Sequence, residues 1–590
     1  MSEYAAPLAD MRFALDEIAK LPEIAKLPGC ENVSPDVVDA VLGEAAKLAA
    51  DVIAPLNHVG DTEKSRLENG VVRTPTGFGE AYRAYADGGW SALSASPEHG
   101  GQGLPIVLDT AVNEMWMSAN LAWSLCPMLS IGACELLALI GTPEQKRRYL
   151  GRLISGEWTG TMNLTEPQAG SDLGALRTRA VREGDHYRIA GQKIFITWGE
   201  HDMAPNIVHL VLARLPDAPT GSRGISLFLV PKILVNDDGS LGARNDLRCV
   251  SLEHKLGIHA SPTCVMSYGD DGGAIGYLVG EENRGLEAMF VMMNAARLHV
   301  GLQGVAIGER AYQQARAYAR ERVQGKPVTA RDGGRLPIVH HPDVRRMLLS
   351  MRAASEAARA LAYYTAGEAD RARRHPDAAQ RAKAQARLDL MTPVVKAWCT
   401  DLGVEVASTG IQVHGGMGFI EETGAAQHWR DARIAPIYEG TNGIQANDLV
   451  GRKLLRDGGA AIGDLVADMR RSLDRLDGHD ADGHLLHGIN ALERATSALL
   501  DIATDDLAAA LAGAEPYLKL LGAVAGGWLM AESAAAATRR LQAGASNRPF
   551  LEAKIATARF YAEHRLAPAP ALLPAIAGGR TVMGFDLDQL

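Results

Sequence analysis

Glu439 is the residue in this chain whose neighbours most favour proton chemistry. It stands in Arg433-Ile-Ala-Pro-Ile-Tyr-Glu-Gly-Thr-Asn-Gly-Ile-Gln445, where an apolar run ends at a carboxylate and a Gly-Thr step follows. The Thr441 hydroxyl can accept an orphan N–H from the first turn of a helix beginning near Asn442. Glu439 then lies just outside a helix N-terminus, flanked by Ile437, Tyr438 and Gly440. Gly440 leaves the backbone open to close approach. A carboxylate covered there by an apolar ligand loses water and becomes a stronger base. The plain alternative is an ordinary acid near a helix start, where the dipole favours negative charge. A second candidate is Thr165-Glu-Pro-Gln-Ala-Gly-Ser-Asp172, a loop shaped by Pro167 and Gly170. Thr165 and Ser171 offer hydroxyls beside backbone N–H groups, which suits a flat polar edge and a phosphate-bearing tail. An isolated Gly-Ser-Asp is more often a simple turn.

The elements that must position these residues come in three textures. Residues 1 to about 158 read as helical. Leu42 to Ile53 spaces its apolar residues at helical intervals, and Ala111 to Ile140 is predicted as one long buried helix. Ser96 to Pro105 between them is a loop by its Gly and Pro content. From Trp158 to about Val279, short β-branched and aromatic runs alternate with Gly and Pro. Strands are predicted at 187–190, 193–197, 206–213 and 225–230, giving a β domain of roughly 120 residues, read as a barrel. Helical texture returns at Gly285, with long amphipathic patterns at 295–324, 344–369 and 380–410. Pro393 is read as a kink or break in the last of these. The turn His414-Gly-Gly-Met-Gly-Phe419 separates that pattern from the Glu439 stretch. Beyond Asp457 the chain is Ala-rich and helical, and Ala567 to Pro574 is predicted as an extended tail. The fold class is therefore mainly α with a central β-barrel domain and a C-terminal helical extension. The predicted division is 1–38, 39–158, 159–281, 282–455 and 456–590.

Composition narrows the function classes. A chain of 590 residues is more than one domain. A net charge of −10 gives no electrostatic case for nucleic acid or an anionic membrane. Residues 456–590 hold 17 acids against 13 bases, so the extension is not a basic arm. The six cysteines form no CxxC and no regular spacing, and read as reduced cytosolic thiols without metal. The first twenty residues carry acids early and lack an apolar export core. The most apolar run, Leu520 to Met530, falls short of the ~20 residues of a membrane span. A cytoplasmic protein without stable membrane insertion is expected.

TEPQAGSD, KIFITWGEHD, ERVQGK, QVHGGMGF, WRDARI and PIYEGT stand here in the order and spacing of the acyl-CoA dehydrogenases, which the chain resembles from about residue 40 to 455. Its extra terminal segments resemble the long-form branch, which includes 3-methylmercaptopropionyl-CoA dehydrogenases and related fatty acyl-CoA dehydrogenases. The resemblance implies FAD, an acyl-CoA substrate, electron-transfer flavoprotein as acceptor, and a homodimer. By similarity, Met162, Leu164 and Thr165 run along the flavin edge. Phe195, Ile196 and Thr197 lie against the flavin, and Ser171 contacts the CoA arm. Arg322 resembles the arginine that holds the FAD pyrophosphate across a dimer interface. Gln412, Gly415, Gly416 and Thr441 fall among cofactor contacts, and Asn294 and Arg297 among substrate contacts. A helix-surface cation is an equal reading of Arg297. Glu439 matches the base that removes the α-proton of the thioester. Its backbone N–H and the FAD ribityl hydroxyl would stabilise the enolate. The β-hydrogen would leave as hydride to flavin N5, giving a trans-2-enoyl-CoA. Some relatives keep the base on the helix around Asn294, where this chain has Ala295 and Ala296, which cannot serve.

Three positions depart from the pattern. Pro342 and Gly443 stand where many relatives have glutamine, which puts single FAD contacts in doubt. Trp198 replaces a small or amide residue and reads either as narrowing the flavin pocket or acceptor face, or as local packing. An acyl-CoA oxidase using O2 is the alternative enzyme. A nucleic-acid-binding or scaffold relative is the alternative of another class, against which the acidic extension and Glu439 speak.

Overall fold

The computed structural model describes residues 3–328, 334–476, 478 and 483–589. They group into two compact units, one of residues 44–104 and 115–296, the other of residues 1–43, 105–114 and 297–590. Helix α1 (Pro35–Leu48) continues as a wider turn to Ile53, over the run predicted at 42–53. The stretch 111–140, predicted as one helix, is instead two: α2 (Ile106–Ala119) and α3 (Leu121–Ile140). Asn120 divides them. Its backbone is extended and its side chain accepts the Trp123 N–H, so it caps α3 and ends the helical run before it.

The first unit is built on an eight-stranded, barrel-like sheet. Its strands are β1 (Thr159–Asn163), β2 (Arg179–Glu183), β3 (His186–Thr197), β4 (Ile207–Arg214), β5 (Ile225–Pro231), β6 (Leu247–Leu252), β7 (Thr263–Tyr268) and β8 (Ala274–Leu278). The order is β6-β7-β3-β8-β5-β4-β1, with β2 beside β3 and touching β4. Strands β4 and β5 are largely apolar and buried almost throughout, as expected for strands covered on both faces. The runs 187–190 and 193–197, predicted as separate strands, are one strand. Gly191 lies between the two runs. A Cβ there would meet Thr178 Cα at 2.8 Å, so glycine serves the close passage of a neighbouring segment rather than a turn.

The second unit is helical. From Arg297 onward it contains the rest of α4 (Gly285–Glu321), then α5 (Pro342–Arg374), α6 (Ala378–His414), α7 (Ala425–Ala432), α8 (Asn442–Asp448), α9 (His484–Asp505), α10 (Ala514–Gln542) and α11 (Arg548–Tyr561). Helix α6 continues through Pro393, so the proline does not break it. Pro393 sits among buried residues, and the Thr392 hydroxyl donates to the Leu388 carbonyl at 2.7 Å. Packing outweighs the backbone donor that proline lacks.

The C-terminal extension lies on its own bundle, with α10 against α5, α6 and α8. The contact is close. Trp398 of α6 packs against Gly522 and Gly526, where an added Cβ would come within 2.4 and 2.7 Å of the indole. Residues 567–574, predicted as extended, instead form a 3-10 turn (Ala569–Leu572) and the start of a short helix (Leu573–Ala577). Pro570 and Pro574 each stand second in these elements, within the first turn, where an N–H has no intrahelical partner to lose. Helices α3 and α10 are each long and apolar enough to cross a membrane, although the sequence showed only a short run. Most of each is buried inside the protein, and both serve as core helices.

Candidate active site

Glu439 projects from the segment between α7 and α8. That segment folds back on itself: the Tyr438 N–H bonds Ile434 O at 3.1 Å and the Asn442 N–H bonds Pro436 O at 2.9 Å. Glu439 then takes φ +55°, a left-handed conformation rare for a side chain of this kind, and Gly440 follows at φ +82°. A strained non-glycine backbone costs on the order of 1 kcal/mol or more and persists only where its surroundings fix it. Here the fixing groups are visible. Gln445 Nε2 donates to the Glu439 carbonyl at 3.2 Å and the Gly440 carbonyl at 3.4 Å. Lys396 Nζ donates to the Gly440 carbonyl at 2.7 Å and to Asn442 Oδ1 at 2.9 Å. The Thr441 hydroxyl accepts the Ile444 N–H at 3.2 Å, the cap read from the sequence.

The electrostatics suit a base. Burial pushes the Glu439 carboxyl up to about 7, and the Arg297 and Lys396 cations oppose that rise. A carboxyl at that level is ionised for part of the time at neutral pH and accepts a proton more readily than an ordinary glutamate. Arg297 is buried, which settles its surface-cation reading, and its guanidinium lies 3.8 Å from Asp448 Oδ2. Tyr438 donates its hydroxyl to Gln303. Asn294 is exposed on α4.

In the β unit a second constellation forms around Lys193. Its Nζ, wholly buried, donates to the Leu164 carbonyl at 2.9 Å and to Glu166 Oε1 at 2.8 Å. Glu166 also accepts the N–H groups of Arg177 and Thr178 and the Thr178 hydroxyl. Burial opposes ionisation of Glu166, but Lys193 and these donors outweigh it and hold the carboxyl down at about 2. The Thr165 carbonyl accepts the Ile194 N–H at 2.9 Å, tying the loop to β3. Met162, Leu164 and Thr165 are thereby set beside Phe195, Ile196 and Thr197. The register between β3 and β7 slips here: Ile196 faces Cys264 while Lys193 faces Met266, so β3 carries an extra residue. That bulge gives Phe195 φ +58° and leaves it 58% exposed, while Ile196 is buried. The hydroxyls of Thr165 and Thr197 take no protein partner among the described residues, and Ser171 is exposed on the loop.

The remaining predicted residues stand at the ends of long helices. Arg322 is exposed just past α4, its backbone held by the Ile338 N–H at 2.7 Å. Gln412 is exposed on the last turn of α6, and Gly415 and Gly416 follow it. Gly415, at φ +61° and ψ −141°, has a conformation essentially confined to glycine. Sequence reading missed Lys396, Gln445 and the Lys193–Glu166 pair. Lys396 had one signal: it is the single charge in Met391-Thr-Pro-Val-Val-Lys-Ala-Trp398, and a lysine in a buried run must have partners.

Comparison with known proteins identifies the family of the chain. Residues 39–157, 161–270 and 283–454 match the N-terminal, middle and C-terminal domains of acyl-CoA dehydrogenase, and residues 465–586 match an acetyl-CoA dehydrogenase C-terminal-like domain. The 3-methylmercaptopropionyl-CoA dehydrogenase of Ruegeria pomeroyi is 50% identical over 576 residues, covering 96% of this chain and 97% of that one. The chain belongs to the acyl-CoA dehydrogenase family. The broad-specificity linear acyl-CoA dehydrogenase FadE5 of Mycobacterium tuberculosis is 34% identical, with 96% of each chain covered. The fold matches Caenorhabditis elegans ACDH-11, solved in complex with C11-CoA, with TM-score 0.75 and 22% identity over 96% of this chain and 93% of that one.

Enzymes of the acyl-CoA dehydrogenase family use FAD, and the residues here fit it. A ring exposed on a strained bulge and two unpartnered hydroxyls suit the face and edge of an isoalloxazine. Two of the three departures from the family pattern have local reasons. Pro342 is the first residue of α5, a position that favours proline. Gly443 lies in the first turn of α8. Trp198 is buried, donates its indole N–H to the Ala122 carbonyl at 3.3 Å and meets His201 edge-on. That is the local-packing reading of Trp198.

Proposed function

We propose that this acyl-CoA dehydrogenase removes the α-proton of its thioester substrate with Glu439 and yields a trans-2-enoyl-CoA. The observation that carries this reading is a carboxyl raised to about 7, on a left-handed backbone held by Lys396 and Gln445. FAD, when bound, supplies the acceptor for the β-hydrogen. Met162, Leu164, Thr165, Phe195, Ile196 and Thr197 would hold its ring, and Arg322, Gln412, Gly415 and Gly416 its phosphates and adenosine. Ser171, Asn294 and Arg297 would contact substrate. The Glu439 backbone N–H is the protein's donor toward the thioester carbonyl, where negative charge develops as the proton leaves.

The substrate proposed is a short or medium acyl-CoA or 3-methylmercaptopropionyl-CoA, supported by 50% identity across nearly the whole chain. A panel of acyl-CoAs with an artificial dye acceptor tests it. The physiological acceptor proposed is electron-transfer flavoprotein, and the compartment the cytoplasm, where six buried unpaired cysteines are at home. A homodimer is supported by the turn after Gly416, where Met417, Phe419 and Ile420 are exposed, Phe419 to 85%.

Glu439→Gln is the deciding experiment. The amide keeps the shape but cannot take the proton, so FAD and acyl-CoA binding persist while flavin reduction falls at least about 10²-fold. Stopped-flow reduction at a near-normal rate would place the base elsewhere.

A further inference from the structure

Lys396 is wholly buried, within a stretch of α6 whose residues Leu390 to Thr400 are all buried. An ammonium there has lost its water and must be compensated. Its hydrogen-bond partners are two neutral oxygens, the Gly440 carbonyl and Asn442 Oδ1. Its charge is answered at longer range by Glu439 and Asp401. Asn442 is in turn oriented by donating to the Ala397 carbonyl at 3.1 Å, the Thr400 hydroxyl at 3.1 Å and Asp401 Oδ1 at 2.8 Å. The amine is thus built into the turn that begins with Glu439. Two residues on, Trp398 locks α6 against α10 of the C-terminal extension.

We propose that Lys396 is a positioning residue for the base: its ammonium clamps the turn that forces Glu439 into a left-handed backbone, and its charge favours the carboxylate over the acid. This rests on Glu439 being the base. The clamp accounts for two facts at once. It explains why a lysine is retained in an apolar core, and why a glutamate holds a conformation that ordinarily belongs to glycine.

The charged groups around the pair are few. Arg297 on α4 and Lys396 on α6 act on Glu439. Asp448 on α8 and Arg452 beyond it act on Arg297. Asp401 on α6 and Arg297 also act on Lys396, and Lys519 and Glu515 on α10 act on Asp401. Burial brings Lys396 down to about 7, the range of Glu439, so the acid limb of flavin reduction belongs to the two groups together. Removing the cation leaves Glu439 with burial and only Arg297 against it. Its proton is then held more tightly, and the limb moves to higher pH.

The test is flavin reduction by acyl-CoA, measured by stopped flow across pH on FAD-loaded, full-length protein. Lys396→Met should move the acid limb up by about one unit, the low end of the effect of a nearby opposite charge, and lower the plateau about tenfold. Lys396→Arg should keep the limb where it is. If Lys396→Met does not fold, Lys396→Gln, which retains a donor without charge, should still shift the limb. A purely structural lysine would lower stability and leave the limb in place. A folded, FAD-loaded Lys396→Met or Lys396→Gln enzyme with unchanged limb and plateau overturns the inference. Glu439→Gln run alongside separates the two claims. If the Lys396 variants are unchanged and Glu439→Gln is inactive, only the role of Lys396 falls. If Glu439→Gln is active, the base itself is wrong.

Discussion

Replacing Lys554 by methionine should unfasten the C-terminal extension from the catalytic bundle. Lys554 of α11 is buried and donates to Asp10 Oδ1 at 2.7 Å and Glu356 Oε2 at 2.8 Å. Those acids belong to a larger cluster. Arg359, 1% exposed, binds Asp10 at 2.6 Å, Glu114 at 2.6 Å and Glu309 at 2.9 Å. Tyr363 donates to Glu114 at 2.8 Å, and Arg352 holds Glu356 at 2.6 Å. Asp10, Glu114, Glu309 and Glu356 face Arg352, Arg359 and Lys554, so one more positive charge lost leaves two excess carboxylates away from water. Breaking a buried pair from one side costs about 3–5 kcal/mol. The unit concerned has roughly 350 residues. At about 2.1 cal/mol/K per residue its unfolding entropy is about 0.7 kcal/mol/K, which converts that loss to a Tm fall of about 4–7 °C. Lys554→Met with Glu356→Gln should recover part of the fall, because the second change removes a stranded charge.

The pH dependence has a definite sign. Despite burial, Lys554 and Arg359 hold the Asp10 carboxyl down at about 2, below its ordinary 3.8. Its stabilisation is fully present above about 4 and is lost as pH falls toward 2. Lys554 is raised above its ordinary 10.5 by Asp10 and Glu356, against burial, so its contribution holds below that value and is lost at higher pH. Burial raises Glu114, which works against the cluster at neutral pH and is relieved by acid. The Lys554→Met deficit should therefore be full between about pH 4 and 10 and shrink outside that window. Differential scanning calorimetry at several pH values reads it. A single variant within 1 °C of wild type at neutral pH would refute the view that this cluster fastens the extension.

Three further outcomes are expected. Arg322→Ala should shed flavin, since a pyrophosphate loses a charge-assisted contact, and light scattering of wild type should show a flavin-loaded dimer; a flavin-loaded monomer would refute the cross-subunit role. Truncation after Leu455 should strip the cover from Trp398 and its neighbours and produce aggregation or a higher oligomer, whereas a soluble, active dimer of unchanged stability would show that the extension covers nothing essential. Trp198→Phe should cost about 1 kcal/mol through the lost bond to the Ala122 carbonyl, visible in Tm, and leave acceptor preference unchanged; altered acceptor use would reassign Trp198 to the docking face.

Much of this was legible because it is local. Thr441 caps α8, and strands β4 and β5 and the long helices α4, α5 and α6 stand where periodicity placed them, give or take their ends. Propensity and capping act over a few residues, and a sequence displays those neighbours directly. The misreadings share a cause too. The stretches 111–140, 187–197 and 567–574 were each judged by their own residues in isolation. Asn120 caps a helix, Gly191 makes room for Thr178, and Pro393 is carried by a packed bundle. The tail prolines open helical turns.

The sequence by itself determined the family, the order of helical and β regions, and Glu439 as the carboxylate to watch, because ordered motifs and local chemistry survive without coordinates. Tertiary structure alone decided what makes that carboxylate different from any other. Lys396 and Glu439 are 43 positions apart, as the 396 and 439 numbering shows, yet the lysine fixes the turn and shares the charge. Asp10 and Lys554 lie at opposite ends of the chain and meet in one buried cluster. Burial and charge depend on what folding brings within a few ångströms, and that is a property of the packed chain rather than of neighbours along it.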